Sequence, residues 1–372
     1  MKIVCVAVYG YDLHYTHGSY VMSNDRVVSA LPSTVVKVVA DTGETGWGEV
    51  CPLGATYLPA FAGGARAALR EITPALIGLD PRNLGLINSR MDAVLRGHNY
   101  AKSPVDVACW DLLGKATNCS VSTLLGGVHQ PHYPLYVPVP LGPAEQMAEF
   151  VAAKRAEGIH QFQLKIGDKP YDDKARVERV LAATDERDTI IADANGGWTL
   201  QEAMVAARLL EGSPRVYLEQ PCASLEECLH VRRYTTLPMI LDEVITDARS
   251  LLTAYREGGM EAINLKISRV GGLTRAKLIR DLAQDLGLRL TIEDSWGGDL
   301  VTAAISHLAA STASSALLTV PFMNDWIAEH VAGFQPRAHN GIGTVPNGPG
   351  LGVQVTEDLL GEPILCVSER DR

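Results

Sequence analysis

Six apolar runs between residues 160 and 295 each end on an ionisable side chain. The six residues are Lys165, Asp193, Glu219, Asp242, Lys266 and Asp294, at intervals of 23 to 28 residues. That interval is typical of one strand–helix unit in a parallel barrel, in which about 250 residues make eight units. The active sites of such barrels lie at the carboxyl ends of the strands. We therefore expect the six side chains to face one site.

Each of these residues has an ordinary structural explanation when taken alone. An acid after a strand is more often a helix N-cap than a ligand, and a lysine at a strand end usually reaches solvent. Six such residues at one level fit these explanations poorly. Charges held this close together repel or stay unpaired unless a bound group joins them.

Three of the carboxylates suit a divalent cation. Asp193, Glu219 and Asp242 offer hard oxygen ligands, which Mg²⁺ prefers while it keeps positions open for water or substrate. The residue types alone leave Asp242 and Glu243 as alternatives for the third ligand. Asn195 follows Asp193 by two residues, so it lies on the same face if the strand continues and is expected to support the site.

The two lysines come before and after the three carboxylates in the chain, and therefore on either side of them around a barrel. A substrate between Lys165 and Lys266 would face an amine on each side. A nearby divalent cation lowers a lysine pKa and lets the amine act as a base. This arrangement suits removal of a proton α to a carboxylate, with the cation stabilising the charge that develops. The second lysine can return a proton to the opposite face.

The elements around these residues predict the fold. From residue 128 onward, apolar runs such as "DTIIADA", "RVYLEQP" and "EAINLKI" alternate with helical patterns such as "LTRAKLIRDLAQDLG". We predict an α/β protein, a (β/α)7β TIM-like barrel over residues 128–340. An open doubly wound sheet is the alternative, but no G-x-G-x-x-G follows the first strand.

The rest of the chain predicts a cap on this barrel. Residues 1–127 read as an α+β capping domain, and residues 341–372 as a tail that returns to it. In "SPVDVACWDLLGK", Ser103 and Pro104 predict the start of a helix, because serine caps and proline suits the first turn.

Composition narrows the function classes. The 372 residues carry a net charge of −10 without a basic run, which argues against nucleic acid or an anionic membrane as partner. Seven irregularly spaced cysteines suit reduced thiols rather than a disulfide framework or zinc site. With neither a signal-peptide pattern nor a membrane-spanning run evident, we expect a cytoplasmic protein.

These motifs resemble the enolase superfamily, specifically its muconate-lactonizing-enzyme subgroup. The resemblance covers essentially the whole chain and implies Mg²⁺ as cofactor, Asp242 as the third ligand and a homo-oligomer. The matching segments are "GWGE", "SPVDVACWDLLGK", Lys165, Asp193-x-Asn195, Glu219-x-Pro221, Asp242-Glu243 and Lys266.

One departure from that pattern narrows the substrate. The second-strand motif is commonly Lys-x-Lys, whereas this chain has Gln163-Leu164-Lys165. With "CPLGATYLP", "GHNYAKSPVD" and "DSWGGD", this variant resembles the group of hydroxyproline betaine 2-epimerases and cis-3-hydroxyproline dehydratases. It implies a small carboxylate substrate, a cyclic amino acid or betaine. The expected substrate-binding residues are Tyr57, Gln163, Asn195, Asp294, Trp296 and Phe322.

The aromatic members of this set suit a cationic amine, although aromatic residues also serve as core packing. The leading prediction is 2-epimerisation of a proline betaine or 4-hydroxyproline betaine, and the alternative is dehydration of cis-3-hydroxy-L-proline. A dipeptide or N-acyl amino acid epimerase and a barrel that binds without turnover rank lower. No histidine ends the seventh strand, which disfavours a sugar-acid dehydratase.

Overall fold

A computed structural model describes residues 1–213 and 215–371. The capping domain is built on a four-stranded antiparallel sheet in the order β16-β1-β4-β5, in which β16 (Leu365–Ser368) comes from the end of the chain. A hairpin of β2 and β3 leaves this sheet, and four helices follow it. The elements are β1 (Ile3–His14), β2 (Tyr20–Met22), β3 (Arg26–Val28), β4 (Ala30–Ala40), β5 (Thr45–Val50), α1 (Ala62–Ile72), α2 (Leu84–Val94), α3 (Asn99–Thr117) and α4 (Val121–Leu124).

Helix α3 packs on β5 through two glycines of the segment "GWGE". A Cβ atom on Gly48 would lie 2.0 Å from the carbonyl oxygen of Pro104, and one on Gly46 would lie 2.1 Å from that of Ala108. The predicted start of this helix was wrong. The helix begins five residues earlier, at Asn99 instead of Pro104, and Pro104 lies inside it. Pro104 cannot donate to the carbonyl four residues earlier, so the close packing of α3 on β5 outweighs this local preference.

The barrel is one eight-stranded sheet in the order β14-β13-β12-β11-β10-β9-β8-β7, with parallel pairs throughout. The amide of Tyr136 in β7 donates to the carbonyl of Val320 just after β14, which joins the two edges. The predicted (β/α)7β barrel is confirmed. Its elements are β7 (Tyr136–Val139), α5 (Ala144–Ala156), β8 (Gln161–Lys165), α6 (Pro170–Ala182), β9 (Thr189–Asp193), α7 (Leu200–Leu210), β10 (Val216–Glu219), α8 (Leu225–Arg232), β11 (Met239–Leu241), α9 (Ala248–Arg256), β12 (Ala262–Lys266), α10 (Ile267–Val270), α11 (Leu273–Asp285), β13 (Arg289–Glu293), α12 (Asp299–Ala310) and β14 (Leu317–Thr319).

The last segment of the chain passes back over both domains. β15 (Ile342–Thr344) pairs with β6 (His132–Pro134), and β16 (Leu365–Ser368) pairs antiparallel with β1. Short 3₁₀ turns lie at Thr73–Ala75, Met323–Trp326, Glu357–Leu360 and Glu369–Asp371. None of the helices in the described residues combines the length and apolar character needed to cross a bilayer.

Two buried polar side chains connect the domains. Glu49 of "GWGE" accepts hydrogen bonds from the hydroxyls of Tyr11 and Ser33, each at 2.7 Å, and from the amide of Gly298 at 3.0 Å. It therefore ties the capping sheet to the start of α12. His307 in α12 accepts from the amide of Ser122 at its Nδ1, so its Nε2 carries the proton and donates to the carbonyl of Leu351.

His307 predicts a pH dependence of stability. Burial lowers its pKa to about 4, against about 6.5 in the unfolded chain. The unfolded chain therefore binds the proton first. Stability is complete above about pH 6.5, and about 3 kcal/mol is lost as pH falls from there through 4.

Urea unfolding of the wild type and of His307→Asn between pH 8 and pH 4 checks this. The variant is expected to have a lower free energy of unfolding than the wild type at pH 8, and to lose about 3 kcal/mol less of it on acidification. His132→Asn, at an exposed histidine, serves as the control. Parallel acid profiles for wild type and His307→Asn would contradict the assignment.

Candidate active site

Strand register brings the predicted residues to one level. Lys165 pairs across β8 and β9 with Asp193, which pairs across β9 and β10 with Glu219. Asp242 directly follows β11, and Lys266 is the last residue of β12. All five are buried. The sequence spacing therefore brings the two lysines and three carboxylates together at the carboxyl ends of adjacent strands.

The two lysines lie on opposite sides of the barrel. β12 is four strands away from β8 in a sheet of eight, so the side chains approach the axis from opposite directions. Lys165 Nζ lies 2.5 Å from Asp193 Oδ2, and Lys266 Nζ lies 2.6 Å from Asp242 Oδ2. Burial alone would lower each lysine pKa. The adjacent carboxylates outweigh burial and raise both lysine pKa values, with Asp193 acting most strongly on Lys165 and Asp242 on Lys266.

Glu219 occupies the middle of the carboxylate row. The amide Nε2 of Gln163 donates to both of its oxygens, at 3.1 and 3.0 Å, and the amide of Asn264 donates to Oε1. Burial raises the pKa of Glu219 well above its usual value, and the charges of Asp193 and Asp242 add to that effect. Gln163 also lines the cavity that the lysines face, so its predicted contact with substrate stays a prediction.

Two of the three carboxylates, Asp193 and Asp242, form ion pairs with cationic side chains. Asp242 accepts from Lys266 at Oδ2 and from Arg269 at Oδ1, and Arg269 also overcomes the effect of burial to lower the Asp242 pKa. Within residues 1–213 and 215–371, no three His, Cys, Asp or Glu side chains stand together as a ready metal site. The residue types fit a hard cation, because carboxylate oxygens are the ligands that Mg²⁺ prefers, and the buried Glu219 accepts hydrogen bonds from the neutral side-chain amides of Gln163 and Asn264.

Asn195 and Glu243 lie beside the three carboxylates and are hydrogen-bonded to each other. Asn195 has a left-handed backbone with φ of 45°, and its amide Nδ2 donates to Glu243 Oε1 at 3.1 Å. Burial, and then the charges of Asp242 and Asp193, raise the pKa of Glu243 to about 7. The structure directs Asp242 into the row and Glu243 away from it, towards Asn195.

The lysines face a small cavity of about 30 Å³ that is lined by several aromatic rings. Tyr57 reaches in from the capping domain, donates to Asp242 Oδ2 at 3.2 Å and accepts from Lys266 at 2.9 Å. Trp296 lines the cavity and meets Tyr20 and Trp326 edge-on, with ring centroids 5.0 and 5.6 Å away.

Phe322 is not brought into this cavity. It lines a different one and packs against Tyr133, with ring centroids 6.3 Å apart. The aromatic residue from the segment after β14 that does reach the lysines' cavity is Trp326, in the 3₁₀ turn that follows.

Asp294 lies one residue beyond Glu293, the last residue of β13, whose side chain is directed to the barrel axis. The Asp294 carboxylate accepts from the amide and hydroxyl of Ser268 and the amide of Ser295, although it also lines the cavity. Glu293 is the residue in register with Lys266, and its Oε1 lies 3.0 Å from the lysine Nζ. Successive residues of a strand point to opposite faces, so Glu293 is directed to Lys266, whereas the carboxylate of Asp294 is directed to Ser268.

Several contributors to the site were not predicted from the sequence: Tyr20, Tyr136, Asn264, Arg269, Glu293 and Trp326. A usable signal existed for two of them. Asn264 precedes Lys266 by two residues, as Gln163 precedes Lys165, so strand alternation places both amides in the layer beneath the lysines. The paired register of β12 and β13 then identifies Glu293. Arg269 lies in the short helix α10 after the strand, for which alternation gives no direction.

The contact between Glu293 and Lys266 offers a test of the predicted role of Lys266 as an acid or base. Glu293→Gln removes one of the two carboxylates facing this amine, so the pKa of Lys266 is expected to fall. The measurement is deuterium exchange at C2, the carbon α to the substrate carboxylate, as a function of pH. Exchange that depends on Lys266 should begin at lower pH in the variant than in the wild type. Asp294→Asn, at the neighbouring carboxylate that is directed to Ser268, is the matched control. An unchanged profile in Glu293→Gln would exclude this role.

The fold and the site define a class. A capped barrel with opposed lysines around buried carboxylates is an enzyme built to remove the proton α to a carboxylate. The family comparison agrees: residues 16–126 match the mandelate racemase / muconate lactonizing enzyme N-terminal domain, and residues 146–359 match the enolase C-terminal domain-like family. The chain belongs to the enolase superfamily, in its mandelate racemase / muconate lactonizing enzyme group.

Individual relatives have different activities. The chain is 46% identical over 364 residues to a cis-3-hydroxy-L-proline dehydratase of Roseibium aggregatum, which covers 98% of this chain and 99% of that protein. It is 27% identical over 378 residues to an N-succinyl-L-Arg/Lys racemase of Bacillus cereus, covering 97% and 98% of the two chains.

Solved structures agree with the fold. A mandelate racemase/muconate lactonizing enzyme from Roseovarius nubinhibens superposes with a TM-score of 0.95 at 35% identity, covering 99% of this chain and 98% of that one. Another from the same organism, complexed with magnesium, superposes with a TM-score of 0.95 at 33% identity, covering 99% and 100%.

Proposed function

We propose that the protein dehydrates cis-3-hydroxy-L-proline with Mg²⁺ as cofactor. The observation that carries this choice is the full-length likeness, at 46% identity, to a relative with that activity. It favours the dehydratase alternative over betaine epimerisation, which sequence reasoning put first. The opposed lysines supply the chemistry that the reaction needs.

The stereochemistry of this substrate suits lysines on opposite faces. In the cis isomer the 3-hydroxyl lies on the same ring face as the carboxylate, so the C2 proton lies on the other face. One lysine removes the C2 proton. The electron pair of the broken C2–H bond then forms the C2–C3 double bond as the C3–O bond breaks. The opposite lysine gives its proton to the hydroxyl, which leaves as water. The enamine that remains tautomerises to a 1-pyrroline-2-carboxylate.

The remaining groups hold the substrate in place. Mg²⁺ held by Asp193, Glu219 and Asp242 would supply positive charge to the substrate carboxylate, on which negative charge develops as the C2 proton leaves. Lys266 must release Asp242 Oδ2, which also frees its amine for proton transfer. Tyr57 and Trp296 pack on the pyrrolidine ring of the substrate. Their aromatic faces favour the substrate amine in its cationic form.

Epimerisation of a proline betaine is the second candidate. The aromatic cluster of Tyr20, Trp296 and Trp326 around the cavity is the observation that favours it, because aromatic faces attract a quaternary ammonium. The same lysines would then remove the C2 proton from one face and return one to the other.

One experiment separates the two reactions. Cis-3-hydroxy-L-proline, its trans-3 isomer and 4-hydroxyproline betaine are each incubated with the protein and MgCl₂ in D₂O and followed by proton NMR. We expect a pyrroline from the cis isomer. The trans isomer should react far more slowly, because its hydroxyl and C2 proton share one face. Inversion of the betaine without elimination of the cis isomer would reject the dehydratase in favour of the epimerase.

A further inference from the structure

A cavity of about 390 Å³ lies beside the active site, between the capping domain and the barrel. One wall is formed by the loop of residues 52–60 and by the start of α3. The other wall is formed by segments that follow β11, β12 and β13. Ser295 lines this second cavity and the lysines' cavity, so the two adjoin. The reaction proposed above assigns it no role.

Arg269 brings positive charge to the second cavity. The residue is 8% exposed, and its Nη2 donates to Asp242 Oδ1 and to the carbonyl of Asn264. Its other two donors, Nε and Nη1, have no hydrogen-bond partner among the described residues. Buried donors without partners are rare and costly, so a guanidinium with two of them indicates a site for an acceptor.

The start of α3 adds a second source of positive charge. His98, Asn99 and Tyr100 line the same cavity, and α3 runs for 19 residues from Asn99. In the described part of the chain, the side chain of the N-cap His98 accepts from no backbone amide of the first turn, because its Nδ1 pairs instead with the hydroxyl of Tyr100 at 3.3 Å. The amide groups at an uncapped helix start attract carboxylates and other anions. Arg269 and this helix start therefore favour the same kind of group.

Glu243 brings a carboxyl group to the second cavity as well. Its Oε1 accepts from Asn195, whereas its Oε2 has no partner within residues 1–213 and 215–371. The rest of the lining is mostly apolar, from Pro52, Leu58, Pro59 and Ala60. A simple anion would leave the Glu243 oxygen unpaired. A ligand with an ammonium group as well as a carboxylate would satisfy both charges.

We propose that the second cavity binds a free α-amino acid as its zwitterion. The carboxylate lies at Arg269 and the start of α3, the ammonium group lies at Glu243, and the side chain or ring packs on the loop of residues 52–60. This assignment rests on the cavity's own charges and stands whichever reaction the active site performs. An occupant contacts Arg269 and Glu243, which hold Asp242 and Asn195, so it is placed to affect the active site.

The test uses radiolabelled L-proline and equilibrium dialysis against the full-length protein freed of metal by chelation. The expected result is one L-proline bound per chain. Cyclopentanecarboxylate has the same ring and carboxylate without the amine, and it should bind roughly tenfold more weakly, because a charge-assisted hydrogen bond is lost. Equal binding of the two would overturn the zwitterion assignment, and no binding of L-proline would overturn the site.

Two matched variants locate the binding. His98→Asp places a carboxylate at the start of α3 and is expected to weaken L-proline binding at least tenfold. His98→Asn is the uncharged control, because asparagine, like aspartate, tolerates the left-handed backbone of this position. It adds no charge and should stay within about threefold of the wild type. Ala60→Trp, which fills the apolar end, should also abolish binding. Undiminished binding in both His98→Asp and Ala60→Trp would show that L-proline occupies the lysines' cavity instead and would overturn the proposal.

Discussion

Replacing Lys165 or Lys266 by alanine is expected to slow dehydration of cis-3-hydroxy-L-proline by about 10²–10⁴-fold each, the usual contribution of a positioned acid or base. Each lysine serves one face of the substrate, and the lysine four strands away cannot reach the other face. The measurement is the rate of pyrroline formation at saturating substrate and Mg²⁺.

Conservative variants separate this role from a purely structural one. Lys165→Arg and Lys266→Arg keep the positive charge beside Asp193 and Asp242, but a guanidinium stays protonated and does not act as a base near neutral pH. They should be as inactive as the alanine variants while unfolding at about the wild-type temperature. An arginine variant with wild-type activity would mean that its lysine only balances the carboxylate charges.

Loss of the cation is expected to have the second large effect. Glu219→Gln should reduce Mg²⁺ affinity and activity together by more than about 100-fold, since loss of a merely supporting contact to a metal ligand already costs 10–100-fold. Asp193→Asn and Asp242→Asn should behave alike. Calorimetric titration with MgCl₂ measures the affinity, and chelation followed by addition of MgCl₂ measures the dependence of activity.

Glu243→Gln is the matched control for these ligand variants. Glu243 neighbours Asp242 in sequence but is directed to Asn195, so its variant should retain most of the Mg²⁺ affinity. Full activity after exhaustive chelation would contradict the metal site. A loss of affinity in Glu243→Gln as large as in Asp242→Asn would contradict the choice of Asp242 as the third ligand.

The repeat length made the fold and the level of the site predictable. Residues that end successive strands of a parallel barrel must meet at one mouth, so Lys165, Asp193, Glu219 and Lys266 follow from their spacing alone. The direction of a side chain at a strand end is harder to predict, because the strand's last residue must be known to within one position. Glu293 and Asp294 differ by that single position.

Residues outside the strands were the least predictable. Arg269 and Trp326 lie in short helical turns after β12 and β14, where no two-residue alternation fixes the side-chain direction. Phe322 was placed in the site on its position after the eighth strand. The turn that follows instead brings Trp326 to the lysines' cavity. Such placements depend on contacts with distant segments, among them the hairpin that carries Tyr20.

The most direct test of the two-lysine account follows the C2 proton of cis-3-hydroxy-L-proline in D₂O with each lysine-to-alanine variant. The account predicts that neither variant forms pyrroline at an appreciable rate. It also predicts that the variant retaining the base still replaces the C2 proton by deuterium, whereas the variant that lacks the base does not. Pyrroline formation at the wild-type rate in either variant, or C2 exchange that persists in both, would contradict the assignment of one lysine to each face.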